Sequence, residues 1–525
     1  MNWQNYPLIR LIIPFTLGMI GANLFIVHMN IVVLFVLCCI ALACSFFFIK
    51  TSETHKDEKF GVVAMTLFFL IGMTLYTDKH HRIASSIPQD TTFCRGILTE
   101  LPQEKAHSWA LHLQQDDAHI ILYVGKGTSH MVSALHRGEG VGEKELPLSL
   151  GDTILASITH FNPTSTCPDD TFKTYYAYLF NNGICATAYA PSNRWAVKPC
   201  NSKPSLLMSF KNLQEKLHTL YDERGLKGEA GSIVEAMTIG RKVNLSSKIR
   251  TTYAHAGVSH VLALSGFHVG IIFLLIQVFF FKPMLPLRWQ WVSNIFIILA
   301  LWLYALITGM SPSLVRATTM FTILLLCQSL SRDVLSPNSC ALAFFIMLCI
   351  NPFYLYDIGF QLSFTSVVGI SLFSEAPITA TPKHPFTSFS IYRFFGTIIR
   401  ITLICTLFTA PLVAHYFGCI PFLSILSNLV LTFFVHLLMW TSILWWLFLW
   451  CDPVNALLTD LLNWTATTMS SITDSIASVS FATIEWHPDT LETLLCYVLL
   501  LGCTYLFTRR KSSSLRLRHL HSVIR

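Results

Sequence analysis

The sequence predicts a polytopic α-helical membrane protein with one small all-β domain inserted outside the membrane, and three observations predict it. First, a chain of 525 residues that is 53% hydrophobic carries only 12% charged residues, about half the ~25% usual in soluble domains. Second, residues 31–49, 291–307 and 422–450 contain no Asp, Glu, Lys or Arg, and each run is near or above the ~20 apolar residues that cross a hydrocarbon core of ~30 Å. Third, between Thr77 and Tyr189 this texture gives way to short alternating runs broken by Gly, Pro, Asn and Asp. An ordinary cytosolic enzyme is excluded.

The elements follow in chain order. Residues 8–27, 31–49 and 60–76 are spanning candidates and make an amino-terminal membrane unit over 1–77. The apolar run from Leu8 leads at once into the one from Ile31 without a small-residue cleavage pattern, so the first is expected to stay as an anchor. Over 78–200, stretches such as His119-Ile-Ile-Leu-Tyr-Val and Asp152-Thr-Ile-Leu-Ala-Ser-Ile read as strands of a small barrel or sandwich. Within 201–255, two amphipathic helical stretches split at Gly225 to Gly228 carry enough charge to stay at or outside the interface. The second membrane unit, 256–508, starts near Val258 and runs through 289–308, 313–330, 338–350, 360–373, 395–417, 422–450 and 491–507. Residues 422–450 read as one long helix or two short ones, and 455–480 as amphipathic. About ten to twelve crossings result, with a basic tail at 509–525.

Lys and Arg concentrate on the cytoplasmic side of membrane proteins, so the net charge of +7 reads first as topology. Lys50, Lys56 and Lys59 follow the second span, and Arg509, Arg510, Lys511, Arg516, Arg518 and Arg525 follow the last. Both termini are therefore expected inside and the β domain outside. Four of the fifteen cysteines, Cys94, Cys167, Cys185 and Cys200, fall in that domain. An oxidising compartment is compatible with a disulfide among them, with three connectivities open. No close Cys/His spacing suggests a metal site.

The densest polar constellation is His255-Ala-Gly-Val-Ser-His260-Val-Leu-Ala-Leu-Ser265-Gly266-Phe-His268-Val-Gly270. On a continuous helix, His260, Ser265 and His268 share one broad face, while Gly266 and Gly270 form a small-xxx-small pair that lets another helix approach. The polar face lines a cavity or glues neighbouring helices; both readings stand.

Gly240, Asn244-Leu-Ser and Gly257-Val-Ser-His260-Val-Leu-Ala-Leu-Ser265-Gly266-Phe-His268-Val resemble the signature of the ComEC family of competence proteins. Ser313-Leu-Val-Arg316-Ala-Thr-Thr-Met320, Asn351-Pro352 through Asp357-Ile-Gly359-Phe360-Gln361-Leu-Ser363-Phe364, and Ala410-Pro411, Gly418, Pro421 and Ser427-Asn428 follow in the same order. Gly151-Asp152 and Phe172 to Ile184 are similar to the end of the family's OB-like domain. The resemblance implies an inner-membrane channel that imports single-stranded DNA in natural transformation. A periplasmic DNA-delivery protein and a cytoplasmic helicase-like motor are the implied partners, besides membrane lipid and, as an open point, a second copy in a homodimer. The chain has no His-x-His-x-Asp-His stretch and stops soon after Phe507, so it is expected to be a form without the family's metallo-β-lactamase-like domain, transporting without cutting. Where the family usually has an acid after Gly240, Arg241-Lys242 stands here.

A polyanion crossing hydrocarbon needs a hydrated polar path, and His260, Ser265, Gly266, His268, Arg316, Asp357 and Gln361 are its candidate residues. Arg316 contacts phosphate or snorkels. Asp357 and Gln361 orient it, or a histidine, or cap a helix. Arg241, Lys242, Lys248 and Arg250 are candidates for backbone contact with single strands or a solvated charge run. Tyr175 and Tyr178, in a run expected to alternate as a strand, are candidate stacking rings. Translocation itself is expected to need no bound cofactor, and since no Gly-x-x-x-x-Gly-Lys-Ser/Thr loop occurs, any ATP-driven pulling is expected to come from a partner. The competing expectations are an intramembrane hydrolase with Ser265 activated by His260, His268, His415 or His436, and a small-solute exporter with a closed midplane pocket.

Overall fold

A computed structural model describes residues 7–25, 40, 56–88, 92–126, 148–165, 173–199, 206–279, 287–330, 337–373, 389–479, 483–504 and 506, without 106, 263 and 422. In chain order the elements begin with α1 (Pro7–Phe25), α2 (Lys56–Ser85), β1 (Phe93–Leu98), β2 (Gln103–Glu104), β3 (Ser108–Gln115), β4 (Ala118–Gly125), β5 (Thr153–Ser157) and β6 (Phe161–Pro163). They continue with α3 (Lys173–Asn181), β7 (Ile184–Ala190), β8 (Trp195–Lys198), α4 (Leu206–Glu223), α5 (Gly228–Thr238), α6 (Ser247–His255), α7 (Ser259–Leu262) and α8 (Gly266–Phe279). Then come α9 (Leu287–Ile307), α10 (Pro312–Ser329), α11 (Pro337–Ile350), a 3-10 turn (Pro352–Tyr356), α12 (Ile358–Phe373), α13 (Phe389–Phe417) and β9 (Cys419–Pro421). The last are α14 (Ser424–Leu447), α15 (Asp452–Ala477), β10 (Thr483–Glu485) and α16 (Thr490–Thr504).

Among the described residues, five helices are long and apolar enough to cross a membrane: Pro7–Leu24, Gly61–Ser85, Trp289–Ile307, Ile399–Phe417 and Ser424–Leu447. Shorter apolar helices cover Gly266–Val278, Asn338–Ile350, Ile358–Phe373 and Thr490–Thr504. The expected span 31–49 lies outside the described residues, residue 40 apart. The stretch 422–450 holds one helix, α14, of 24 residues. The third span outruns its expected end at 76, because α2 continues to Ser85 through an Asp78–Arg82 ion pair at 2.9 Å, one turn apart.

The chain forms two compact units. The first draws on Met1–Lys216 and Asn338–Asp357. Here α1 and α2 run antiparallel, as Phe15 meets Gly72 and Phe69 meets Gly18. A Cβ at either glycine would clash with the facing carbonyl, so the missing side chains let the backbones touch. Phe345 of α11 packs on Phe15 at 4.9 Å and Phe68 at 5.6 Å, and Phe353 of the 3-10 turn packs edge-on to Tyr76 at 5.2 Å.

The same unit holds one mixed sheet in the order β6-β7-β4-β3-β1-β5-β8, with β2 paired to β3. All pairs are antiparallel except β4 with β7. The β3–β4 hairpin turns at Asp116, whose φ of 49° is one a short polar side chain tolerates. Ala110, Ile121, Ile184 and Leu179 of α3 form its core. The run from Tyr175 to Phe180, expected as a strand, is helical: Leu179 and Phe180 point inward while Tyr175 and Tyr178 are exposed.

In the second unit, α4 and α5 separate at Gly225 and Gly228, both at positive φ. The α5 helix is buried against its neighbours from Gly231 to Thr238. Its neighbours include α15, whose Leu462, Ala466 and Met469 face inward, and α14, whose Trp445 stacks on Tyr221 at 4.8 Å. A second core joins α8, α9 and α10 through Val269, Leu301, Leu314 and Leu325. Gly266 lies against Ala317 and Gly270 against Phe321, so this small-residue pair does admit a second helix. The polar run 255–270, however, is not one helix. Gly257 (φ 73°) ends α6, a single turn forms α7, and α8 starts afresh at Gly266.

Candidate functional site

The site is built around that interruption, at the start of α8. Ser265 precedes the first turn, and its backbone carbonyl accepts from the N–H groups of His268 and Val269 at 3.1 and 3.3 Å. The His268 ring folds back over the same end: Nδ1 accepts the Ser265 backbone N–H at 3.2 Å and lies 3.0 Å from Ser265 Oγ. An accepting Nδ1 assigns the neutral tautomer with its proton on Nε2. Ser265 Oγ–H therefore donates to Nδ1. This is half of a capping box: the imidazole, in place of a carboxylate, accepts the backbone N–H of the residue before the helix, while the Ser265 side chain bonds the ring and not the His268 N–H. His268 is buried, and its Nε2 has no hydrogen-bond partner among the described residues.

The expected company of Ser265 and His268 is only partly present. His260 is on α7 and exposed. His436 of α14 packs edge-on against Phe267 at 4.5 Å and holds the Thr432 carbonyl through Nδ1 at 2.8 Å. His415 Nδ1 bonds the Pro488 carbonyl at 2.9 Å. Gly266 serves the contact with Ala317.

Arg316 lies one turn into α10, only 4% exposed, and donates from Nη2 to Ser313 Oγ at 2.9 Å. Buried Thr318 and Thr319 follow it. Gln361 Oε1 accepts from Tyr416 Oη at 2.9 Å, a partner the sequence did not suggest. Asp357 ends the 3-10 turn, its N–H bonded to the Tyr354 carbonyl.

The basic cluster divides. Lys242, Lys248 and Arg250 are exposed, and Arg250 Nη2 donates to the Lys242 carbonyl at 2.8 Å. Arg241 instead turns inward to Glu235 Oε2 at 3.4 Å, with side chains 9% and 2% exposed. The other oxygen of Glu235 meets His218 Nδ1 at 2.7 Å, and His218 Nε2 lies 3.8 Å from Asp222. The Glu235 hydrogen bond is the main cause that raises the His218 pKa above its ordinary value. Sequence reasoning passed over this triad. Its one signal was a lone acid in the apolar run Ile233-Val234-Glu235-Ala236-Met237. Donor atoms of His218, Asp222 and Glu235 lie within 4.8 Å of one another, near enough for a metal ion, but the Arg241 guanidinium already supplies a cation to Glu235.

In the sheet domain, Tyr178 is exposed and Tyr175 bonds Tyr123 through their hydroxyls at 2.8 Å. Cys94 and Cys185 are free, buried thiols. Burial pushes Cys94 up to about 11, and Cys185 Sγ donates to the His119 carbonyl at 3.2 Å. Cys167 and Cys200 lie outside the described residues.

Residues 237–511, from the end of α5 onward and including the cap and Arg316, match the competence protein family model. The chain belongs to the competence protein family. It is 25% identical over 374 residues to ComE operon protein 3 of Bacillus subtilis (strain 168), covering 71% of this chain and 44% of that protein. It is 27% identical over 231 residues to an uncharacterized protein of Aquifex aeolicus (strain VF5), covering 41% of this chain and 54% of the other. The chain thus spans about half the length of these curated relatives. No solved structure matches it. With its apolar helices, this member of the competence family is a multi-pass membrane protein.

Proposed function

We propose that this competence-family chain imports single-stranded DNA through the bacterial inner membrane during natural transformation. The observation that carries the reading is the family match over 237–511, because that segment also holds the buried Arg316 and the Ser265–His268 cap among apolar helices. Buried polar groups in such helices cost free energy unless they serve packing or a path. Exposed Lys242, Lys248 and Arg250 supply phosphate contacts of the kind single strands need. In this reading, ten to twelve helices cross, both termini are cytoplasmic, and the sheet domain, standing for the family's OB-like module, faces the periplasm. A periplasmic protein delivers DNA to it, and a cytoplasmic helicase-like motor pulls.

The Ser265 Oγ to His268 Nδ1 distance of 3.0 Å favours one second reading, an intramembrane serine hydrolase. Activation by that histidine needs an acceptor orienting Nε2 and an oxyanion site. The Nε2 atom meets no such acceptor among the described residues, and Nδ1 is shared between the Ser265 hydroxyl and the Ser265 backbone N–H. We therefore read the pair as a helix cap in a transport protein. Import of labelled duplex into the cytoplasm of a deletion strain tests the function: the label should stay outside, and normal accumulation would overturn the proposal. Ser265→Ala should retain uptake, while loss of uptake at unchanged protein level would bring the hydrolase back.

A further inference from the structure

Within the first unit, a cavity of about 400 Å³ opens among α1, α2, α3 and the 3-10 turn. That volume lies inside the ~300–1,000 Å³ range of small-molecule pockets. Its walls are aromatic and polar but uncharged, since none of the ten lining residues is Asp, Glu, Lys or Arg. Tyr76, His80, Phe180 and Tyr356 present rings. His80 lies 4.6 Å from Phe180, and Tyr356 lies 5.8 Å from Tyr76. Asn23, Thr164, Ser165, Tyr176 and Asn181 add hydrogen-bonding groups. Tyr76 Oη fixes the Asn23 amide by donating to Oδ1 at 2.8 Å.

This lining selects a ligand class. A phosphate or carboxylate would meet no cation among the lining residues. An acyl chain would leave polar lining atoms such as His80 Nδ1, which has no partner among the described residues, unsatisfied at a desolvation cost. A flat, uncharged heterocycle with edge donors and acceptors satisfies both the rings and the amides. We propose that the cavity binds a nucleobase, stacked among the rings and read at its edge by Asn181 and Tyr176, with sugar and phosphate left outside. That the base arrives in single-stranded DNA rests on the function proposed above; the pocket itself does not.

Binding to the full chain in lipid nanodiscs tests this with three probes: a short single-stranded oligonucleotide, an abasic strand of the same length and charge, and free deoxyadenosine. The base-bearing strand should bind about tenfold or more tightly than the abasic one, as one good stack implies. Asn181→Ala and Tyr176→Leu, each at a partly exposed side chain, should remove that preference and the deoxyadenosine signal while leaving abasic binding unchanged. Equal binding of both strands with no deoxyadenosine signal would overturn the pocket and leave DNA transport standing. A deoxyadenosine signal lost in both variants, with neither strand bound, would keep the pocket and sink the DNA source. A base preference that survives both substitutions places the stacking elsewhere and also overturns the proposal.

Discussion

Ser265 and His268 meet in the second unit as a hydroxyl and an imidazole, whereas in the same unit the Glu235 carboxyl joins His218 to the Arg241 guanidinium. Both clusters are buried, and both hold a helix end in place. The pair closes on itself within one turn of chain, so its cost and its gain are local. The triad joins α4, α5 and the turn after α5, and depends on all three remaining together. A buried ion left alone is far more costly than a lost neutral cap. The two clusters should therefore respond to mutation on different scales.

The largest effect is expected at the triad. Glu235→Ala removes the buried carboxylate that joins Arg241 to His218 and should destabilise the protein by about 3–5 kcal/mol, read as a lowered unfolding midpoint in detergent; a change under about 1 kcal/mol would mean that water already screens the cluster. The turn between the two clusters comes next. Gly240 has φ 75°, and a Cβ there would lie 2.8 Å from both Leu264 and the Thr308 carbonyl. Gly240→Ala should cost about 1–3 kcal/mol, and a neutral result would show that α9 can yield.

Smaller still, Ser265→Ala should cost about 1 kcal/mol, the usual worth of a cap, with α8 retained by hydrogen exchange. A loss as large as that of Glu235→Ala would erase the distinction between the clusters. The smallest effect is a pH slope. The folded pKa of His218 is raised above about 6.5, so its contribution is complete below that unfolded value and fades as pH rises through the folded one. Stability should fall gently above about pH 6.5, and His218→Gln should flatten that slope.

How much was legible varies with the length and regularity of the pattern. Long uncharged runs such as 291–307 and 422–450 become helices in lipid, as α9 and α14 do, although only the structure made the second a single helix. Gly225 and Gly228 marked the break between α4 and α5, and Gly266 and Gly270 marked the seam facing α10. Over nine residues the aromatic run of α3 fits either period 2 or 3.6, so Tyr175 and Tyr178 were placed on a strand. Periodicity also carried a helix through residues 255–270, because it does not register a glycine at positive φ or a side chain that caps the next turn.

Sequence alone determined that this chain is a membrane protein of the competence type, because hydropathy and ordered motifs are properties of contiguous residues. Tertiary structure decided which polar groups meet. Glu235 and His218 are 17 positions apart, and whether a buried carboxylate sits beside an imidazole, a guanidinium or DNA depends on which helices pack. Cys94 and Cys185 are buried as free thiols inside the sheet domain for the same reason: a side chain's partner is set by packing in three dimensions, where spacing along the chain has little say.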